Sequence, residues 1–290
     1  MIHYTRSVSI LCFTFVFLIG CSKIEPKRDR PRVTSGVAMR DEVFHSAALN
    51  RVMQYRVLLP AFVADGQHLP VAYLLHGAGE DFRDWSNYSD VAQHAKDGWV
   101  LVMPQGDYSY YVNAAERPEN RYEDYIVNDL ISDIEAKFPV SKSRADRAIV
   151  GVSMGGFGAI KLALSHPDLF VFAGALSPAI DVPRRSFSLR RLQQSWEFKS
   201  IFGPADGAWR RHNDPFLVAQ NVDPIHASYI FLSCGDGESL LAPNREFAAL
   251  LSKQGLLFEF HVVSGGHDWT QWNKQLPKLF ASMHQHAGRI

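Results

Sequence analysis

Cysteine is scarce in this chain, with three in 290 residues, at positions 12, 21 and 234. Three thiols so placed build no disulfide framework. No His-Glu-x-x-His motif and no clustered Cys/His spacing is present, so neither a metal site nor another cofactor is expected. Charge of one sign is missing as well, because 30 basic residues balance 30 acidic ones. Without a net field, nucleic acid is not an expected partner, and a neutral or small-molecule partner is. No apolar run reaches the roughly 20 residues a membrane-spanning helix needs, and the chain has no internal repeat or low-complexity segment. What it does have is 47% hydrophobic residues, enough at this length for one sizeable core in a single domain.

The first residues read differently from the rest. "MIHYTRSVSILCFTFVFLIGC" places Arg6 in a short polar start, then an apolar run from Val8 to Ile19, then a small residue. That is the pattern of a signal peptide over residues 1–20. Its end, "LIGC", resembles the lipobox of bacterial lipoproteins, which implies cleavage that leaves Cys21 acylated at the new N-terminus. Ser22 follows, and in Gram-negative lipoproteins a residue other than Asp there goes with outer-membrane sorting. The resemblance therefore implies a membrane partner through a lipid anchor at Cys21 and a place in the cell envelope, facing the periplasm or the surface. Cys12 would leave with the signal, so Cys234, which closes the apolar run "YIFLSC", is expected as a buried structural thiol. "SKIEPKRDRPRVTSG" is polar and proline-punctuated, and residues 21–42 are expected as a tether.

From residue 43 to 290, short apolar runs alternate with helical stretches. Strands are expected at Phe44–Leu49, Gln54–Leu59, Val71–Leu75, Trp99–Met103, Ala148–Val152, Val171–Leu176, Tyr229–Ser233 and Phe258–Val263. Between them, "YEDYIVNDLISDIEAKF" puts Ile126, Val127, Leu130, Ile131, Ile134 and Phe138 on one helical face. Alternation of this kind predicts an α/β domain with a mostly parallel sheet covered by helices on both faces. Residues 181–225 break the pattern and are expected as an irregular lid or pocket wall. Arg184, Arg185, Arg190, Arg191, Arg210 and Arg211 lie there, on solvated surface or toward an anionic group. Trp85, Tyr110, Tyr111, Trp196 and Trp269 are candidates either for a cleft or for plain core.

The chemistry centres on "RAIVGVSMGGFGAIKLAL". Ser153 stands between glycines where a buried strand gives way to a helix, which is the context of a nucleophile elbow. The turn exposes the serine oxygen and sets the Met154 N–H at a helix start, where it can hold an oxyanion. Serine alone is a weak nucleophile, so a base and an orienting acid are needed, each just past a strand. "FEFHVVSGGHDW" offers His267 after the last strand, and "YIFLSCGDGESLL" offers Asp236 and Glu238 after the one before. Serine, acid, histidine is the chain order of α/β-hydrolases. "VAYLLHGAGE" ends a strand with His76-Gly77-Ala78, and the Ala78 N–H is the candidate second oxyanion donor, with His76 ordering the loop.

Taken together, "SAALNRVMQYRVLLP", "YLLHGAGED", "YYVN", "RYEDYIVNDLISDIEAKFP", "RAIVGVSMGGFGAIKLALSHPDLF", "GDGESLL" and "GGHDWTQW" resemble the esterase family that includes S-formylglutathione hydrolases (esterase D), feruloyl esterases and the antigen 85 mycolyltransferases. The resemblance runs from about residue 43 to 285 and implies an α/β-hydrolase fold. It makes Ser153 the nucleophile, His267 the base, and Ala78 with Met154 the oxyanion hole. Many members carry Asp at the fourth place of a Gly-x-x-Asp pattern; here Gly235-Asp236-Gly237-Glu238 puts Glu238 there, with Asp236 the alternative acid. The expected activity is that of a serine carboxylic ester hydrolase acting on a small-molecule ester or thioester through an acyl-enzyme. Transfer of the acyl group to an alcohol is the alternative on the same site. A surface binding protein without turnover, or a peptidase, is a further reading.

Overall fold

The computed structural model describes residues 28–186 and 192–287. The expected signal peptide, Cys12, Cys21, Arg190 and Arg191 lie outside the described residues. Eight strands form one sheet: β1 (Val37–Ser46), β2 (Arg51–Pro60), β3 (Val71–Leu75), β4 (Val100–Pro104), β5 (Arg147–Val152), β6 (Phe172–Leu176), β7 (Tyr229–Gly235) and β8 (Phe258–Val263). Their spatial order is β1-β2-β4-β3-β5-β6-β7-β8. β2 runs antiparallel to β1 and β4, and from β4 to β8 every pairing is parallel. This is the α/β-hydrolase arrangement.

Both faces of the central strands are apolar because both are covered. Val71, Tyr73 and Leu75 of β3 point into one core, and Ala72 and Leu74 into the other. That two-residue period is what a pleated strand imposes. Helices α1 (Asp84–Tyr88), α2 (Ala92–Lys96) and α10 (Trp269–His286) cover one face with Trp85, Ala92, Trp272 and Phe280. The other face carries the 122–137 helix, which opens as α3 (Tyr122–Asp124), passes through a π-helical stretch at Tyr125–Leu130 and closes as α4 (Ile131–Lys137). Its apolar face is the expected one, with Ile126, Leu130 and Ile134 buried. Beside it lie α5 (Met154–Ser165) and α9 (Leu241–Lys253).

Two expectations are corrected. The first strand begins at Val37 rather than Phe44, because β1 pairs with β2 along its full length. The tether boundary at 42 moves with it: the Arg32 N–H donates to the Ser86 carbonyl at 2.8 Å, and Asp29 meets the buried Arg56 guanidinium at 2.7 Å. Residues 28–36 therefore belong to the folded body. Second, the described part of 181–225 is not irregular. It holds α6 (Leu192–Phe202), α7 (Ala208–His212) and α8 (Pro215–Ala219), broken by Gly203-Pro204 and by Asn213, and anchored by buried Phe198, Phe202 and Phe216. Short helices between such breakers leave too little periodicity to read. Of the aromatics that were candidates for cleft or core, Trp85, Tyr110 and Tyr111 are core, while Trp196 is exposed and Trp269 half-buried.

The arginines of that region are mostly spoken for inside the fold. Arg184 pairs with Asp214 and Glu246, and Arg185 with Asp181. Arg210 is buried against the Gly203, Pro183 and Arg185 carbonyls, and Arg211 donates to the Asp206 carbonyl. Cys234 is fully buried, and burial foremost, then the nearby Glu238 carboxylate, pushes its thiol up to about 12. No thiolate is available there near neutrality.

Candidate active site

The carboxyl ends of β3, β5, β6, β7 and β8 lie along one edge of the sheet, and each is followed by a loop that carries part of one constellation. β5 ends on Ser153, whose φ of +53° is left-handed, rare for a residue with a side chain. The flanking glycines make that turn possible. A Cβ on Gly151 would lie 2.1 Å from the Gly155 carbonyl, and one on Gly155 would lie 2.1 Å from the Leu75 carbonyl of β3. Strand, turn and helix are thus in backbone contact. Gly155→Ala is expected to destabilise the fold by about 3 kcal/mol, because no flexible side chain can yield there; a loss of unfolding free energy below about 1 kcal/mol in a denaturant titration would contradict the contact.

Ser153 Oγ lies 2.8 Å from His267 Nε2, and His267 Nδ1 lies 2.6 Å from Glu238 Oε2. A carboxylate at Nδ1 holds the proton on that nitrogen and leaves the Nε2 lone pair toward the serine hydroxyl. His267 stands on the short loop after β8, just before α10, with its side chain 38% exposed, whereas that of Glu238 is 1% exposed. The site is open to a reactant and its acid is sealed. Glu238 folds back over the end of its own strand, where Oε1 accepts from the Gly235 N–H at 2.7 Å and from the Ser177 hydroxyl at 2.6 Å. Burial raises its pKa, but the hydrogen bonds from His267, Ser177 and Gly235 outweigh burial and bring it below the ordinary value. The carboxylate is held ionised. Asp236 is brought to a different place: it is exposed, and Oδ1 accepts from the Gly265 N–H at 3.1 Å.

The loop after β3 runs beside the serine. A Cβ on Gly77 would lie 3.6 Å from Ser153 Cβ, and the Gly77 N–H is engaged by Glu80 Oε2 at 2.7 Å. Ala78, next along, is exposed at the same mouth. Met154 opens α5, where the first amides have no partner within the helix. An oxyanion requires two donors in front of the nucleophile, and the N–H groups of Met154 and Ala78, next to Ser153 and on the loop beside it, are the candidates. His76 is fully buried; Nε2 accepts from the Gly106 N–H at 2.9 Å, and Nδ1 lies 2.8 Å from the Gly77 carbonyl. Burial lowers its pKa, so it is a neutral brace between two loops.

Three supporting residues escaped sequence reading. Ser177, left-handed at φ +49°, follows β6 and takes a hydrogen bond from Trp272 Nε1 at 3.0 Å while donating to Glu238. Trp272 also sets its ring edge-on to His267, with centroids 5.1 Å apart. Glu80 joins Gly77 to Trp269 Nε1 at 2.6 Å. A sequence signal for two of them was present, since Trp272 falls inside "GGHDWTQW" and Glu80 inside "YLLHGAGED"; Ser177 carried none. Among the described residues no cluster of three or more His, Cys, Asp or Glu could hold a metal.

Comparison with known proteins places this geometry. Residues 46–283 match the family described as "Putative esterase". An acetyl esterase of Caldicellulosiruptor saccharolyticus is 26% identical over 226 residues, covering 76% of this chain and 85% of the relative. The diacylglycerol acyltransferase/mycolyltransferase Ag85A of Mycobacterium leprae is 26% identical over 265 residues, 78% of each chain. Among solved structures, FphF, a fluorophosphonate-binding serine hydrolase of Staphylococcus aureus, superposes with a TM-score of 0.73 at 26% identity, covering 85% of this chain and 98% of its own.

Proposed function

Since the chain belongs to the esterase family, whose relatives here are esterases and serine hydrolases, we propose that it is a serine carboxylic ester hydrolase with Ser153 as nucleophile, His267 as general base and Glu238 as the orienting acid. The observation that carries this reading is the chain of hydrogen bonds from Ser153 Oγ through His267 to a sealed, ionised Glu238. Ser153 Oγ attacks the ester carbonyl carbon as its proton passes to His267 Nε2. Charge gathers on the former carbonyl oxygen, which the Met154 and Ala78 N–H groups stabilise. The imidazolium then gives its proton to the leaving alkoxide or thiolate, and the C–O or C–S bond breaks. Water, deprotonated by His267, adds to the acyl-enzyme and releases the acid.

Transfer to an alcohol differs only in what enters at the last step, and similarity to a mycolyltransferase keeps that acceptor in view. Purified protein given acetyl, feruloyl and thioester substrates, with and without a soluble alcohol, tests both. Hydrolysis that outruns transfer at every alcohol concentration supports the esterase reading, and acyl product found mainly on the alcohol overturns it.

The lipobox-like "LIGC" supports a second proposal, that Cys21 carries acyl chains and anchors the enzyme in the bacterial envelope. Cys21→Ala is expected to release the protein from the membrane fraction and to remove the lipid mass from the N-terminal peptide. An unchanged mass and partition would refute the anchor and leave the ester chemistry standing.

A further inference from the structure

Non-glycine residues with left-handed backbone are few among the described residues: Asn50, Asp107, Tyr110, Tyr111, Ser153 and Ser177. Such conformations cost of order 1–3 kcal/mol each and gather where function requires them. Two of the six, Ser153 and Ser177, belong to the constellation above. The other four surround a single cavity of about 220 Å³, lined by residues that include Arg51, Asp107, Ser109, Arg117, Asn120 and Tyr122. Asn50 precedes Arg51 on the turn into β2, and the remaining three shape the loop after β4.

This cavity sits on the same edge of the sheet as Ser153. β4 is two strands from β5, with β3 between, so the two sites are separated by about 10 Å. One loop serves both. Gly106 donates to His76, which braces the loop that carries Ala78, and the Tyr111 hydroxyl donates to the His76 carbonyl at 3.0 Å. Tyr111 also lies against Gly158 of α5, where a Cβ would meet its ring at 2.6 Å. Three residues further along the chain, Ala114 lines the cavity, and the Ala115 N–H donates to the carbonyl of Ile201, another wall residue.

The charge inside the cavity is unbalanced. Arg51 Nη2 donates to Asp107 Oδ2 at 2.7 Å and to the Tyr122 hydroxyl, which itself donates to Asp107; Gln105 occupies the other Asp107 oxygen at 2.7 Å. Asp107 is thereby engaged at both oxygens and offsets Arg51 one for one. The remaining Arg51 N–H groups have no hydrogen-bond partner among the described residues, in a guanidinium held over the Tyr122 ring. Arg117, exposed at the rim, has no ion-pair partner among the described residues. One positive charge and a pre-oriented guanidinium suit a single carboxylate, which arginine binds through paired hydrogen bonds. We propose that this cavity is a subsite for a carboxylate group borne by the ester substrate, held by Arg117 and Arg51. The inference rests on the esterase reading and refines it to esters that carry a free acid.

The test compares matched esters. On the acyl side these are 4-nitrophenyl hydrogen glutarate and 4-nitrophenyl pentanoate; on the alcohol side, acetoxyacetate and ethyl acetate. The wild type is expected to favour the carboxylate member of at least one pair, and Arg117→Gln to reduce that kcat/KM ratio about tenfold, the scale of one charge-assisted hydrogen bond. Lys253→Gln, at the far end of α9, is expected to leave the ratio alone. No preference in either pair, or a ratio moved equally by both variants, overturns the subsite while hydrolysis of the neutral esters upholds the esterase. If no ester is turned over, the esterase reading fails, and titration of glutarate followed by NMR decides the cavity by itself: shifts at Tyr108 and Asn120 that vanish in Arg117→Gln support it, and their absence overturns it.

Discussion

Ser153→Ala is expected to lower ester turnover by about 10⁴- to 10⁶-fold while the protein stays folded. The substitution removes one oxygen from a half-buried site, so it opens little space and leaves the turn between Gly151 and Gly155 intact. The backbone demand is unchanged, because alanine carries the same Cβ at φ +53° as serine. The melting temperature should therefore move by no more than a few degrees. What disappears is the covalent route; binding and the oxyanion donors remain and leave a residual rate. Measured kcat within tenfold of wild type would remove Ser153 from the mechanism.

The second large effect separates two carboxylates that stand two residues apart. Glu238→Gln is expected to reduce kcat by roughly 10⁴, with KM little changed, because an amide at that place favours the wrong imidazole tautomer and cannot stabilise the imidazolium. Asp236→Asn is expected to stay within a few-fold of wild type, since Asp236 is exposed and touches only the Gly265 N–H. A collapse of the Asp236 variant beside a nearly normal Glu238 variant would exchange the roles. There is a stability consequence as well. The native pKa of Glu238 is depressed, so its hydrogen bonds contribute stability that is fully present above the unfolded value and is lost as pH falls through the native one. Glu238→Gln should flatten that part of the acid denaturation curve.

How much of this was legible in the sequence depends on the range of the interaction. Ser153, the glycines around it and the helix that follows form one local motif, so strand, turn and helix could be read together. The apolar run at Val71–Leu75 matches its strand end to end, because a strand buried on both faces of a parallel sheet reads as one continuous run; Phe258–Val263 also matches its strand, which is half-buried at the sheet edge. The start of β1 was not legible. Residues 37–42 alternate weakly, and their place is decided by pairing with β2 rather than by their own composition. The same limit applies at the site. Ser177 looks like any serine before a proline, and only the meeting of β6, β7 and α10 makes it the hydrogen-bond partner of both Glu238 and Trp272. The choice between Asp236 and Glu238 needed a family pattern, since both follow the same strand. In the structure the longer side chain reaches His267 because it can turn back over Gly235, a position with no Cβ in the way.

The central claim is that Ser153 is the one serine activated for acyl transfer. Its most direct measurement is reaction of the intact protein with a fluorophosphonate probe, followed by mass spectrometry of its peptides. The account predicts a single adduct on the peptide that contains Ser153, absent from Ser153→Ala and much slower to form in His267→Ala. An adduct on another residue, or one that persists at full rate in Ser153→Ala, would contradict it.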